Sequence, residues 1–202
     1  MKNKYVVESL MVLLKGYKAM YGDGSHAKEN PLKKDLSGIV YLIGQTIRQY
    51  KPAPEKIHVS VKAYELWNRL TDNTSLDICD YDEKIECTNI PEGETVDCDQ
   101  YSGSSNDSTK LALKRGETFQ FNNLFHSDHI VPVCLIRDEL IAMETIEERA
   151  IIAVLDKMHI AKLLKGEDRS VGRTSGRTLD YKQVIRDIYE KATPEPVKLI
   201  NL

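Results

Sequence analysis

Hydrophobic residues recur at helical spacing in three segments of the N-terminal part of the chain. Residues 5–21 place an apolar side chain at every third or fourth position, and glycines end the pattern. A second helix is predicted over about residues 35–50, before a Pro-rich stretch. Residues 60–71 repeat the spacing, with apolar side chains at i, i+3, i+4 and i+7. The pattern therefore predicts a helical N-terminal region over residues 1–71.

The middle of the chain, residues 72–113, lacks this pattern. Turn-forming residues cluster here, including the run Ser102-Gly103-Ser104, and short strands joined by loops are predicted. Residues 71–108 carry 11 acidic side chains and 1 basic side chain. The simplest interpretation is a set of exposed acidic loops. The alternatives are a segment that regulates access to a basic surface, or one that binds a protein partner.

The pattern changes again in the C-terminal region, residues 114–202. Alternation over 118–121 and an apolar run over 124–133 predict two strands of a hairpin, with Asn122-Asn123 as the turn. A helix is predicted to follow over residues 134–143. This order of strand, strand and helix makes the expected fold class α+β.

Two further helices are predicted after the hairpin. The first spans 145–164, where Thr145 and Glu148 have the spacing of a capping box and apolar residues form one face. The second covers about residues 180–192 and ends before two prolines. We expect both helices to be additions to the strand–strand–helix module.

Composition is that of a folded globular chain. Of the 202 residues, 41% are apolar and 29% are charged, and no apolar run reaches the length of a membrane-spanning helix. The apolar start of the chain is interrupted by polar residues and lacks a cleavage site, so a cytoplasmic location is expected. The four cysteines show no C-x-x-C spacing, which disfavours a zinc ribbon and predicts reduced thiols.

The most informative stretch is the apolar strand that contains His126, Asp128 and His129. A carboxylate is a good ligand for a hard divalent cation, and a neighbouring imidazole can accept a proton from water. Adjacent residues on a strand point to opposite faces, so Asp128 and His129 need a distorted turn to share one site. The run that continues from them resembles the opening half of the His-Asn-His (HNH, ββα-metal) nuclease motif: Asp128-His129-Ile130-Val131-Pro132.

This resemblance implies a C-terminal HNH-like module that acts as a metal-dependent endonuclease. It would hydrolyse phosphodiester bonds, in DNA rather than RNA, in a restriction, defence or phage context. By the same resemblance Asp128 is a metal ligand and His129 is the general base that activates water. The expected ion is Mg²⁺, with Mn²⁺ or Zn²⁺ as alternatives, and it would stabilise charge on the leaving oxygen. The rival hypothesis is an inactive HNH-like module that binds nucleic acid or a protein.

The sequence departs from the family pattern after His129. HNH nucleases carry an Asn in the connecting loop and a His or Asn ligand on the helix, but neither residue type occurs between His129 and His159. His159 and His126 are therefore the candidates for the remaining metal ligands. His126 shares a strand face with Asp128, and a packing or orienting role is its alternative. A buried hydrogen-bonded histidine is the alternative for His159.

Three further polar residues and one carboxylate pair are secondary candidates for this site. Asn122 or Asn123 could replace the missing loop Asn from the hairpin turn. Asp156 is more simply a solvated residue on the helix edge, and Glu167 with Asp168 is more simply part of a loop at the helix end.

Basic residues in the last loop and helix are candidates for phosphate contacts, and an ordinary solvated surface is an equal alternative. Nucleic acid is the expected partner, and no membrane interaction is expected. The N-terminal or acidic region could also support a homo-oligomer or a protein partner. The candidate phosphate-binding residues are Arg169, Arg173, Arg177 and Lys182.

Overall fold

The computed structural model describes residues 2–22, 33–72, 76, 83–98, 111–172 and 176–201. The helices are α1 (Lys2–Tyr21), α2 (Lys33–Ile47), α3 (Val61–Leu70), α4 (Phe121–Leu124), α5 (Val133–Ala142), α6 (Glu148–Leu155), α7 (Lys165–Val171) and α8 (Tyr181–Val184, continued by a π-helical turn, Ile185–Tyr189). The strands are β1 (Ile57–Ser60), β2 (Lys84–Glu86), β3 (Val96–Asp97), β4 (Ala112–Leu113), β5 (Thr118–Gln120), β6 (Phe125–His129), β7 (Ile160–Leu164) and β8 (Leu199–Asn201).

The chain forms two compact units, each built from separate segments. One consists of Met1–Pro52, Val131–Met158 and Thr178–Tyr181. The other consists of Ala53–Ile130, His159–Arg177 and Lys182–Leu202. The expected boundaries near residues 71 and 113 do not coincide with these units, because the chain leaves the second unit after Ile130 and returns to it at His159.

The first unit is helical. Helix α1 packs against α2 and α6, and α5 packs against α2 and α6. Four of the apolar positions predicted for α1, Val6, Leu10, Leu14 and Tyr17, are buried on one side of the helix, whereas Met20 at its end is exposed. Within the described residues, no helix combines the length and the hydropathy that crossing a bilayer requires. The buried core of this unit includes Val6, Leu10, Leu14, Ile43, Ile47, Ile136, Leu140, Ile151 and Leu155.

The second unit is organised around a mixed four-stranded sheet in the order β6-β7-β1-β8. Strands β1 and β7 are parallel, whereas β6 and β8 run antiparallel to their neighbours. Helix α7 follows β7 directly and packs against both β6 and β7. Two small sheets, β2 with β5 and β3 with β4, complete the unit.

One face of the four-stranded sheet covers a hydrophobic core. Helix α3 supplies Ala63, Leu66, Trp67 and Leu70, the four positions predicted from the sequence, and Ser60 caps its N-terminus by accepting a hydrogen bond from the Ala63 amide. Trp67 meets the ring of Phe125 edge to face, at 5.6 Å between ring centroids. Cys87 and Cys98 lie in the same core as thiols, and Cys134 is also a thiol.

The predicted hairpin is wrong in its pairing. Strand β5 pairs with β2, and β6 pairs with β7, while Asn122 and Asn123 lie in the short helix α4 and not in a turn. The buried side chains of Phe121 and Leu124 account for the difference, because one helical turn places both against the core.

The predicted helix over residues 145–164 is correct only for its first part. Helix α6 ends at Leu155, and residues 160–164 form the central strand β7. A strand covered on both faces has no alternating pattern, so its apolar run resembled a continuation of the helix. Thr145 does not cap the helix, because Glu147 is the N-cap residue and makes no side-chain capping bond.

Candidate functional site on the polar face of the sheet

The sheet face opposite the hydrophobic core is lined by polar side chains. On β6, His126 and Asp128 are two positions apart and therefore share this face. On β1, His58 lies level with Ala161, which in turn pairs with Asp128. The face therefore presents polar groups on both sides of β7, with a small apolar residue between them.

Asp128 is held by two buried side chains. Arg177 places Nη2 2.7 Å from Asp128 Oδ2, and the Tyr189 hydroxyl donates to the same oxygen at 2.5 Å. Only 2% of the Arg177 side chain is exposed, against 17% for Asp128. Burial alone would lower the pKa of Arg177, but the hydrogen bond to Asp128 and the nearby negative charges raise it. The Arg177 guanidinium therefore stays charged and forms a buried ion pair with Asp128.

Arg177 also ties the end of β6 to the loop after α7. Its Nη1 donates to the backbone carbonyl of His129 at 2.7 Å, and its Nη2 donates to the carbonyl of Gly172 at 3.3 Å. The guanidinium carbon of Arg177 also lies 5.6 Å from the ring centroid of Tyr189, which is within the range of a cation–π contact. Burial raises the pKa of the Tyr189 phenol, and the charge of Asp128 raises it further, so this hydroxyl remains a donor.

His126 faces Asp168, the fourth residue of α7. The two side chains are 3.7 Å apart, measured from Nε2 to Oδ1, and 37% and 36% of them are exposed. Burial raises the pKa of Asp168, and the charge of Asp128 adds to this rise, whereas His126 and Arg177 oppose it. Asp168 therefore lies within electrostatic range of His126, Asp128 and Arg177, where the polar face reaches solvent.

Glu167, the residue before Asp168, points to a different strand. Its Oε2 accepts a hydrogen bond from the Ser60 hydroxyl at 2.5 Å and one from the Leu164 amide at 3.0 Å. Burial raises the pKa of Glu167, although both hydrogen bonds act in the opposite direction. Helix α7 thus contacts β1 through Glu167 and β6 through Asp168.

His58 and His159 form a buried pair. Nε2 of His58 lies 3.0 Å from Nδ1 of His159, so one ring donates and the other accepts. Burial lowers the pKa of His159 to about 4, and the positive charges of His58 and Lys56 lower it as well. Burial also lowers the pKa of His58, although a side-chain hydrogen bond with Asn201 acts in the opposite direction. Both rings are therefore neutral at pH 7.

Ser127 and His129 belong to the opposite face of β6. Lys162 pairs with Ser127 across the strands, donates to its Oγ at 3.0 Å, and lies 4.9 Å from the ring of Phe121 on the hydrophobic side. His129 pairs with Ile160 in the same regular ladder, two positions after Ser127. The distorted turn that would join Asp128 and His129 in one site is not formed, because the ladder continues through both residues.

The expected metal ligands do not meet at a single point. His126 faces Asp168, Asp128 faces Arg177 and Tyr189, and His159 faces His58. Among the residues that the structure describes, no three His, Cys, Asp or Glu side chains are grouped so as to hold a metal ion. His159 is on β7 and not on a helix, and Asp156 belongs to the other unit, where it accepts a hydrogen bond from Tyr50 at 3.1 Å.

The predicted phosphate-binding residues have different environments. Arg177 is buried in its ion pair, so its expected role as a surface phosphate contact is wrong. Arg169 on α7 and Lys182 on α8 are exposed. Arg173 lies outside the described residues.

Sequence reasoning missed Asp168 and Tyr189 as partners of the motif residues. Asp168 follows a buried strand at the start of a helix, and recognising residues 160–164 as a strand would have placed it beside β6. Tyr189 appeared only as one apolar position in a helical pattern, and no local signal pairs its hydroxyl with Asp128.

Comparison with known proteins did not identify a relative. No protein-family model matches this chain, and searches of curated proteins and of solved structures gave no significant match.

Proposed function

We propose that this protein hydrolyses phosphodiester bonds in nucleic acid, with its working site at the accessible edge of the polar sheet face. The observation that carries the proposal is the pairing of His126 with Asp168, with Asp128 on the same strand face as His126. A proton acceptor beside two carboxylates is the set that water activation at a phosphate needs. The ion pair with Arg177 orients Asp128 at this edge.

The order of elements around this site also supports the proposal. Strands β6 and β7 are antiparallel, and α7 follows β7 and packs against both strands. The ββα-metal motif runs in the same order of strand, strand and helix. Here α5 and α6 stand between the two strands in the sequence. Asp128, where the sequence resembles the motif, therefore lies on β6, the first strand in this order of strand, strand and helix.

A divalent cation would be held by Asp128 and Asp168. Both contacts of Asp128 with Arg177 and Tyr189 use Oδ2, so Oδ1 makes neither of them. Asp168 is close enough for the charge of Asp128 to raise its pKa, and oxygen donors suit Mg²⁺ or Mn²⁺. His159 does not fit this role, because its Nδ1 is engaged by His58. When bound, the cation would stabilise negative charge on the phosphate and the leaving oxygen.

The exposed cations nearby suit a polyanionic substrate. Arg169 is on the same helix as Asp168, and Lys182 is at the start of α8. Phosphate contacts of this kind position the backbone without reading the bases, so they carry no sequence preference.

The proposal is tested by incubating the protein with plasmid DNA, single-stranded DNA and RNA in Mg²⁺ or Mn²⁺. We expect cleavage of at least one substrate, and a loss of at least 100-fold in Asp128→Asn. Ser127→Ala is the matched control, since its side chain is on the other face of the same strand, and it should retain activity. Intact substrates in every combination would refute the proposal.

A second candidate function is binding of nucleic acid without turnover. The observation that favours it is the ion pair of Asp128 with the buried Arg177, which has the geometry of a structural contact. This candidate predicts a salt-dependent shift of labelled DNA without any cleavage product, and the same shift in Asp128→Asn.

A further inference from the structure

We infer that the proton acceptor of this site is His126, oriented by Asp168, and not His129. The inference rests on the proposed hydrolytic function and assigns the base within it. It departs from the role that the sequence resemblance gives to His129. The two histidines are three positions apart on the regular strand β6, so their side chains lie on opposite faces of the sheet.

His126 has the surroundings of a general base. It shares a face with Asp128, and its Nε2 lies 3.7 Å from Asp168 Oδ1. About a third of each side chain is exposed, so water can reach the pair. A carboxylate beside an imidazole fixes the ring orientation and stabilises the imidazolium that forms on proton transfer. At 3.7 Å the two atoms are within ion-pair range but not hydrogen-bonded, and catalytic contacts often shorten to hydrogen bonds only when substrate binds.

His129 has a different role in this structure. Its neighbour by two positions, Ser127, contacts Lys162 on the hydrophobic side of the sheet, and strand alternation places the His129 side chain on that side too. Its backbone carbonyl accepts a hydrogen bond from Arg177. His129 therefore contributes to the polar face through its main chain, by anchoring the residue that holds Asp128.

The proton-transfer step is balanced with His126 as the acceptor. Nε2 faces Asp168, so Nδ1 is the nitrogen that takes a proton from water as the water oxygen forms its bond to phosphorus. The bond from phosphorus to the leaving oxygen breaks, and the proton held by His126 passes to that oxygen or to solvent. Asp168 stays a carboxylate throughout and acts as a positioning residue.

The experiment compares His126→Ala with His129→Ala in a steady-state cleavage assay, with wild-type cleavage as the reference. We expect a 10²- to 10⁴-fold loss of kcat in His126→Ala with KM changed less than threefold, which is the range for removal of a general base. Added imidazole should raise the cleavage rate of His126→Ala at least tenfold, because free imidazole can fill the space of the missing ring. His129→Ala should stay within threefold of wild type and should not respond to imidazole.

Asp168→Asn and Asp168→Glu test the positioning role. We expect Asp168→Asn to lower kcat more than it raises KM, and Asp168→Glu to recover part of the loss because it keeps a carboxylate near the ring. Mn²⁺ binding followed by calorimetry gives a readout apart from turnover, and His126→Ala should bind Mn²⁺ within threefold of wild type.

Three results would overturn the assignment. One is the reverse of the expected pattern, in which His129→Ala is inactive and His126→Ala remains active. Another is failure of imidazole to restore His126→Ala, and the third is loss of Mn²⁺ binding in that variant, which would make His126 a ligand. An inactive wild-type protein refutes the proposed function itself, so the two failures are distinguishable.

Discussion

At the scale of single residues, the ion pair between Arg177 and Asp128 dominates the polar face. Removing one member of a buried pair leaves the other charge without compensation, which costs more than the pair contributes. We predict that Arg177→Met lowers the free energy of unfolding by roughly 3 kcal/mol. The single tryptophan, Trp67, is buried in the same unit, so its fluorescence during urea unfolding measures this change.

Lys182→Met is the matched control, because Lys182 is exposed, and it should change stability by less than about 0.5 kcal/mol. The double variant Arg177→Met/Asp128→Asn should recover part of the loss, since it removes the uncompensated charge. If Arg177→Met and Lys182→Met changed stability equally, the description of Arg177 and Asp128 as a buried ion pair would be contradicted.

The buried His159 predicts a dependence of stability on pH. Its pKa is lowered to about 4 in the folded protein, whereas an unfolded histidine has a pKa of about 6.5. The unfolded state therefore binds more protons between these values, and stability must fall as pH decreases from about 6.5 towards 4. We predict a loss of roughly 2 kcal/mol between pH 6.5 and pH 5 from this residue.

Urea unfolding of wild type and His159→Gln at pH 7.5 and pH 5 measures the effect. The difference between the two pH values should be smaller in His159→Gln than in wild type. His126→Gln serves as the control, since more than a third of its side chain is exposed. Identical pH dependence in wild type and His159→Gln would show that burial of this ring has no energetic consequence.

The sequence identified the residues of the site that belong to a local motif and missed those that approach from elsewhere. His126 and Asp128 were predicted to share a strand face, and the β6 register confirms it. Asp168 was predicted to lie in a loop, because the strand before it was interpreted as a helix. Tyr189 and Arg177 could not be paired with Asp128 from sequence, since that pairing depends on how α8 and the loop after α7 return to the sheet.

At the scale of elements, Ser60 joins two helices to strand β1. Its Oγ accepts from the Ala63 amide, which caps α3, and its hydroxyl donates to Glu167 on α7. We predict that Ser60→Ala lowers the free energy of unfolding by roughly 1–2 kcal/mol, because it removes the cap of α3 and one of the two hydrogen-bond donors to the Glu167 carboxyl. Trp67 fluorescence during urea unfolding provides the measurement.

Thr145→Ala is the control at this scale. Thr145 has the sequence signature of a helix cap but makes no capping bond to α6, so its removal should cost less than about 0.5 kcal/mol. If Thr145→Ala lowered the free energy of unfolding more than Ser60→Ala, both assignments would be contradicted: Ser60 as a helix cap and Thr145 as a residue without a capping role.

Elements with one buried face were predictable, and elements buried on both faces were not. Helices α1 and α3 have polar and apolar sides, so their spacing gave the correct type and nearly the correct bounds. Strand β7 is central, and its continuous burial hid the change from helix to strand. The pairing of β6 with β7 spans more than thirty residues and depends on tertiary contacts that no local pattern records.

At the scale of the whole molecule, the uneven charge distribution bears on nucleic-acid binding. Residues 151–202 carry 10 basic and 7 acidic side chains, and the exposed Arg169 and Lys182 are among them. If both contact phosphates, Arg169→Gln/Lys182→Gln should weaken DNA binding and reduce the slope of log affinity against log salt by about 2. Lys4→Gln, in the other unit, should leave the slope unchanged. Fluorescence anisotropy over a salt series measures both, and equal slopes for all three proteins would exclude these residues from the interface.

The most direct measurement compares Asp168→Asn with Glu167→Gln in one cleavage assay. The two carboxyl groups are adjacent on α7, but Asp168 faces His126 and Glu167 faces Ser60. We expect Asp168→Asn to lose at least 100-fold of the cleavage rate and Glu167→Gln to lose less than threefold, although Glu167→Gln should unfold at a lower urea concentration than wild type. Cleavage that survives in Asp168→Asn, or that is lost equally in both variants, would contradict a working site at this edge of the sheet.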